Sequence, residues 1–259
     1  ELDSSLTLQK QNNPKTQSRV QEAAPKENNI KIDEASIIIK GENSGQRYRL
    51  PKRSKGYSLD TTLGWPRIAR EVVTERDLMN CGGTFYEVPS RMAGGIARIR
   101  PVSTHNLNIY DFASYRGMLV MSGVASNEQH SKNPHIITSQ DGNTAVWAGT
   151  IDDLWKLGKP RGVGGPWNNT QVKAGEPSLP YLMTGYDKKE MELKHDPSET
   201  VTSRIALDIN GKGLWKTYDT FEVEPGESLE HDFPEGFSAY WVRLRATRNC
   251  KATATFTYK

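Results

Sequence analysis

The sequence is short of cysteine, of net charge and of long apolar runs. Its two cysteines, Cys81 and Cys250, stand far apart among 259 residues and match none of the close spacings that bind zinc. Both sit in strand-like contexts, so two buried free thiols are expected, with a disulfide between them as the alternative. No stretch reaches the ~18 apolar residues of a membrane-crossing helix. The formal net charge is only +3 and the basic residues are spread out, which argues against the basic stripe of a nucleic-acid binder. No stretch has the period of a long amphipathic helix. A hydrophobic share of 35% and a mean hydropathy of -0.69 describe a polar chain. Its length still leaves room for one large all-β unit or two modest ones with real cores. The chain opens on Glu1 rather than Met, so it is expected to be processed or cut from something longer, with no signal peptide left to read.

What is present is strand signal. Residues 1–30 are rich in Gln, Asn, Lys, Glu and Ser without aliphatic period, and read as a polar tail or inserted loop. Structure is expected from IKIDEASIIIKG, which pairs with QRYRLP across GENSGQ as a hairpin. Through residues 31–190 short strands follow at spacings of about 8–12 residues: REVVTERDLMNCG, GGTFYEVP, GGIARIRPVS, GMLVMSGV and PHIITSQDGNTAVWAG. The apolar run GMLVMSGV suits a strand buried on both faces. Asp141-Gly142 is a strong turn pair, and TIDDLWKLGKP alone looks briefly helical. From about Met191 the texture becomes regular. Residues 191–259 read as a C-terminal β-sandwich of about six strands. Its expected core is Ile205, Leu207, Trp215, Phe221, Phe233, Trp241 and Phe256, and AYWVRLRAT places Tyr240, Val242, Leu244 and Ala246 on one face. The fold class is all-β: propeller-type blades, as an incomplete ring, followed by a small sandwich.

TSQDGNTAVWAG resembles a degenerate Asp-box, the hairpin of sialidase-like propellers, with Ser139, Asp141, Gly142 and Trp147 present but Gly and Trp at shifted offsets. That motif is a folding signature rather than a catalytic one. On a larger scale GWPRIAREVVTERDLMNCGGTFYEVP, RPVSTHNLNIYDFASYRGMLVMSG, DDLWKLGKPRGVGGPW, AGEPSLPYLMTGYDKK and AYWVRLRATRNCKATATFTY resemble, in their order, the C-terminal half of bacterial, Bacteroidetes-type propeller proteins that end in a β-sandwich. The resemblance spans roughly residues 35–259. It implies a carbohydrate-related protein of the periplasm or the extracellular space. The active relatives it brings in are propeller glycosidases, including those that remove rhamnose next to a uronic acid. Their catalytic residues match no position here.

The densest site-like stretch is RPVSTHNLNIYDFASYRG, residues 100–117. His105 would be an acid or base if it lined a propeller's axial pocket, because its ordinary pKa lies near working pH. Arg100 and Arg116 would clamp a carboxylate, Tyr110 and Tyr115 would stack on a sugar, and Arg98 shares a face with Arg100 if the strand is regular. The plain structural alternative is a histidine tied to neighbouring loops, with arginines paired to carboxylates such as Glu87 or Asp111. Of Trp65, Trp147, Trp155 and Trp167, Trp147 reads as core. Trp167 in GVGGPWNN is the best sugar platform. A glycosidase needs two carboxylates facing each other at roughly 5–9.5 Å; the adjacent pair Asp152-Asp153 diverges, and Glu71, Glu75, Glu87, Asp111 and Glu176 are open alternatives. DINGKG, residues 208–213, lacks the acidic second half of a calcium loop and reads as an Asn-Gly turn.

These observations lead to a glycan-directed protein. As an enzyme it would be a glycoside hydrolase on acidic, uronate-containing polysaccharide. The alternatives are a non-catalytic glycan-binding or scaffolding module, or a partial propeller completed by an N-terminal partner chain. No cofactor, metal, nucleic acid or membrane span is expected.

Overall fold

The structure is a computed structural model that describes Lys15 and residues 30–41, 45–54, 67–70, 76–107, 109–124 and 133–259. The expectations placed on Trp65, Glu71, Glu75 and most of the first thirty residues lie outside the described residues.

The chain is all-β. Its strands begin with β1 (Ile30–Ile32), β2 (Ile37–Lys40) and β3 (Arg47–Leu50). Next come β4 (Arg67–Arg70), β5 (Asp77–Cys81), β6 (Thr84–Val88) and β7 (Arg100–Thr104), followed by β8 (Asp111–Tyr115), β9 (Met118–Ser122), β10 (Ile136–Thr138) and β11 (Ala145–Gly149). The last eight are β12 (Gly162–Val172), β13 (Tyr181–Leu182), β14 (Lys189–His195), β15 (Val201–Asp208), β16 (Trp215–Val223), β17 (Ser228–Asp232), β18 (Trp241–Ala246) and β19 (Cys250–Tyr258). Short 3-10 helices lie at Arg91–Ala93, Gly95–Arg98 and Ile151–Leu157.

Two four-stranded antiparallel sheets have the blade form. In the first, β4 to β7 pair in sequence order; in the second the order is β10-β11-β9-β8. No ring closes among the described residues. Within residues 31–190 the described residues hold these two sheets of blade form. The remaining strands of that span, β1 to β3 and β12 to β13, join the sandwich.

The sandwich itself reaches back to Gly162, not only to 191. Strands β12 to β19 are divided between two sheets, ordered β12-β19-β14-β17 and β13-β18-β15-β16, with β3, β2 and β1 extending the second. This is the strand order of an eight-stranded jelly roll. The reason the earlier boundary fell short is local. GVGGPWNNTQV carries three glycines and a proline, so in sequence it looks like a loop around Trp167; yet it pairs with β19 along its length, with two bulges that absorb the irregularity. At Gly165 an added Cβ would lie 1.8 Å from the Ala254 carbonyl oxygen, so only glycine allows that approach.

Alternation decides which residues are buried. On β19, Cys250, Ala252, Ala254, Phe256 and Tyr258 point inward while Lys251, Thr253, Thr255 and Thr257 point out. Ile205, Leu207, Phe233, Trp241 and Phe256 are buried as expected, whereas Phe221 and Trp215 are only partly so. The strand pair buried on both faces is β5–β6: Met79, Cys81, Tyr86 and Val88 face the sandwich core, and Leu78 and Phe85 face the second sheet. In β9 only Leu119 and Met121 are buried, while Met118 and Val120 are half-buried. Both thiols are free and buried; burial pushes the Cys81 thiol up to about 12.

Candidate functional site

The histidine of residues 100–117 sits inside the protein. His105 is 2% exposed; its Nε2 lies 2.9 Å from Asn80 Oδ1 and its ring is 5.2 Å from that of Phe85. Burial holds its pKa down to about 4, so it is neutral at working pH and walled off from substrate. The expectation of an accessible acid or base is thereby corrected. Loop closure is the cause: the His105 backbone N–H donates to the Gly83 carbonyl, which carries the side chain under the first sheet.

The fold also separates the arginines and tyrosines that the sequence groups. Arg98 ends the 3-10 helix Gly95–Arg98, so it shares no strand face with Arg100. Arg100 Nε donates to the Tyr240 hydroxyl at 2.9 Å. Arg116 sits in the tight β8–β9 turn with φ 50 and lies over the Tyr115 ring at 5.4 Å. Tyr110 and Tyr115 are exposed. Asp111 accepts from Arg67 Nε at 2.7 Å, and Glu87 pairs with Arg76. Asp153 caps its own 3-10 turn through Thr150, with the Lys156 ammonium holding it well below the usual carboxylate range. The degenerate Asp-box does fold as a hairpin: Ser139 Oγ donates to Asp141 Oδ1 at 2.6 Å, the Asn143 N–H donates to the same oxygen at 3.1 Å, and Trp147 is wholly buried.

Among the described residues the fold builds a concave site on the outer face of the β12-β19-β14-β17 sheet. There a trough of about 260 Å³ runs between β12, β19 and β14. Thr253 and Thr255 form its floor, Trp167 and Asn168 of bulged β12 line one side, and Glu192 and Lys194 of β14 the other. Trp167 is therefore part of a β-strand rather than a loop, and at 6% exposed it is mostly core and no open platform. Among the described residues the exposed indole is Trp155, on the 3-10 helix Ile151–Leu157.

The end wall is the Asp33–Ser36 turn, and buried cations hold it in place. Arg49 bonds both Asp33 carboxylate oxygens, at 2.9 and 2.8 Å, and Ser36 Oγ at 2.9 Å. Lys52 Nζ donates to the Asp33 and Glu34 carbonyls at 3.2 and 2.8 Å. Ser36 Oγ then donates to the Gly165 carbonyl at 2.8 Å, and the Gly165 N–H donates to Ala35. Burial pushes the Asp33 carboxyl up, but the Arg49 fork and the Ser36 N–H outweigh it and hold the carboxyl below its usual value. Burial likewise lowers the Lys52 ammonium, partly offset by Asp33 and Glu34.

The trough is polar and electrically compensated. Lys194 pairs with Glu192 at 2.5 Å, Glu192 also accepts from Ser228, and Lys52 is spent on carbonyls. Thr253 Oγ1 accepts from the Asn169 N–H. The Thr255 hydroxyl makes no hydrogen bond among the described residues and faces the open volume. Of this site, sequence reading named Trp167 alone, because its parts come from four segments, at 34–52, 163–168, 192–194 and 253–255. The available signal was the threonine alternation of CKATATFTY, which puts a row of hydroxyls on one face. Among the described residues no group of three His, Cys, Asp or Glu side chains is placed to hold a metal.

No family model matches the chain, and no curated protein does. Solved structures give loose likenesses. A Bacillus subtilis glycoside hydrolase family 43 arabinoxylan arabinofuranohydrolase, crystallised with cellotetraose, is 10% identical over 86% of this chain and 73% of its own, at a TM-score of 0.24. The Bombyx mori GH32 beta-fructofuranosidase is 11% identical over 88% of this chain and 64% of its own, at 0.22. The crystal structure of PirA is 13% identical over 38% of this chain and 84% of its own, at 0.22. The fold and the trough described above stand on the strands themselves, not on these likenesses.

Proposed function

We propose that the protein is a glycan-binding β-protein whose ligand lies in the trough over Thr253 and Thr255. The observation that carries this reading is the trough itself: about 260 Å³ of open volume floored by hydroxyls and edged by an amide and a carboxylate. Sugars are recognised by such a mix of donors and acceptors in a concave site. The trough's two ammonium groups are already engaged, by Glu192 and by backbone carbonyls, so it suits neutral sugar units rather than uronates. On this reading the protein works where polysaccharide is met, in the periplasm or outside the cell.

Hydrolysis is the second reading, because Glu34 and Glu192 both line the trough and a glycosidase needs two facing carboxylates. Binding is preferred. Glu192 is tied to Lys194 and Ser228 as an acceptor, and the enclosed His105 supplies no alternative acid. Titration calorimetry with neutral xylo-, arabino- and cello-oligosaccharides tests the proposal. Binding is expected for at least one, and it should be abolished by Thr255→Phe, which fills the trough from an outward strand position. Absence of binding at millimolar sugar, or binding indifferent to Thr255→Phe, would overturn it. Sugar release that vanishes in Glu34→Gln or Glu192→Gln would replace it with the hydrolase.

A further inference from the structure

The opposite outer face of the sandwich carries the reverse electrostatic arrangement. On β15, Ser203, Ile205 and Leu207 are buried and Arg204 and Ala206 point out. On β18, Val242, Leu244 and Ala246 pack inward, which turns Arg243 and Arg245 outward. The register sets Arg204 directly opposite Arg245 and Ala206 opposite Arg243. Thr217 of β16 lies opposite Ala206 on its other side. These residues and Trp215 line a recess of about 110 Å³. Arg243 lies over the Trp215 indole, 4.1 Å from the ring centroid.

None of the three guanidinium groups makes an ion pair or a side-chain hydrogen bond among the described residues. Three such forks on one face, two of them directly opposed across a strand pair, repel one another unless an anion joins them. The carboxylate nearest in effect is Asp208, buried at the end of β15 and occupied with the Lys212 and Gly213 N–H groups. It offsets one of the three charges. Asp219 is turned to the Thr220 N–H, and Glu222 stands at the far end of the strand opposite Thr202. Burial and the Arg245 charge both press on Arg243, which is the environment an incoming anion would relieve.

We infer that this recess, formed by Arg204, Arg243 and Arg245 around Trp215, binds the sulfate or carboxylate groups of an acidic polysaccharide. The shared chemistry is an oxyanion held by forked donors. The indole face is already covered by Arg243, so the recess offers charge and directed N–H groups without a platform for stacking a base, which disfavours nucleic acid. The site lies on the other sheet from the trough, and the inference does not depend on the trough's function.

The test is calorimetric titration of the full chain at low salt with three probes: a heparin hexasaccharide, an oligogalacturonate of equal length, and inorganic phosphate. Binding of the hexasaccharide or the oligogalacturonate is expected, weakening as salt rises. The double variant Arg204→Gln/Arg245→Gln should weaken it at least tenfold. Both side chains are exposed, so the melting temperature should hold, and Arg243→Gln serves as a second, independent variant. Whichever acidic sugar binds more tightly identifies the oxyanion as sulfate or carboxylate. Unchanged affinity in both variants overturns the inference. So does binding of phosphate alone. Equal and Arg-dependent binding of single-stranded DNA, or of phosphatidylserine vesicles through the nearby exposed Ile209 and Leu214, would assign the face to another partner and also overturn it. Loss of neutral-sugar binding in Thr255→Phe with acidic-sugar binding intact separates this site from the trough.

Discussion

The two outer faces of one sandwich solve the problem of surface charge in opposite ways. Over β12, β19 and β14, every cation at the trough has a partner: Lys194 has Glu192 and Lys52 has two carbonyls. Over β15, β16 and β18, three arginines face outward with no ion pair among the described residues. Both faces rest on the same interior of Ile205, Leu244, Ala254 and Phe256, so the difference owes nothing to core packing. It comes from which residues occupy the outward half of the β-period. Threonines and compensated charges make a face that suits hydroxyl-rich ligands. Uncompensated forks make one that suits anions.

The most disruptive way to break this contrast is to unpin the trough's end wall. Arg49→Ala leaves Asp33 and Ser36 without their shared donor and should destabilise the fold by about 3 kcal/mol, the lower end of the cost of breaking a buried pair because Asp33 keeps some water. Chemical denaturation reads the loss. Neutral-sugar binding should weaken with it, while the arginine face keeps its affinity.

Acid bounds the conditions under which the two faces compare fairly. His105 is held neutral in the fold with a pKa of about 4, against about 6.5 when unfolded. The unfolded chain therefore takes up the proton first, and stability should fall as pH drops from about 6.5 to about 4, by roughly 3 kcal/mol in all. Below that range the loss levels off. A His105→Gln variant should lack this fall while keeping a donor for Asn80; a fall of equal size in the variant would show that another group is responsible. Binding contrasts are cleanest at neutral pH, above the range in which His105 costs the fold stability.

Smaller changes sharpen the contrast. Arg204→Gln/Arg245→Gln should cost at least ~1.4 kcal/mol in acidic-sugar binding, the equivalent of tenfold, and leave neutral-sugar binding unchanged. Thr255→Val removes one free hydroxyl without altering shape and should cost about 1 kcal/mol of neutral-sugar affinity, with acidic-sugar affinity unchanged. Calorimetry on both variants with both ligands gives the four numbers needed.

Sequence reading and structure agree where local period decides the outcome. The all-β class, the Asp141-Gly142 hairpin and the burial of Trp147, Trp241 and Phe256 were legible from alternation and turn residues. Function-like density was misleading. Arg98, Arg100 and Arg116 are close in sequence, yet a 3-10 helix, a tyrosine hydroxyl and a tight turn take them to separate uses. Arg204 and Arg245 are 41 positions apart and face each other across a ladder. Half of that pairing was readable: WVRLRAT places Arg243 and Arg245 on one face by period two. The other half depended on strand order, which a single sequence does not fix. The sandwich boundary was missed for a related reason, since β12 is a strand by virtue of its partner β19 despite its glycines.

The account's central claim is that the two faces bind chemically different glycans. Amide hydrogen exchange on the full chain, measured with a neutral oligosaccharide and then with an acidic one, tests it most directly. The neutral ligand should protect the segments around Asn168 and Thr253–Thr255 and leave 204–217 and 243–245 unchanged; the acidic ligand should do the reverse. Protection of one face by both ligands, or of neither face by either, would contradict the claim.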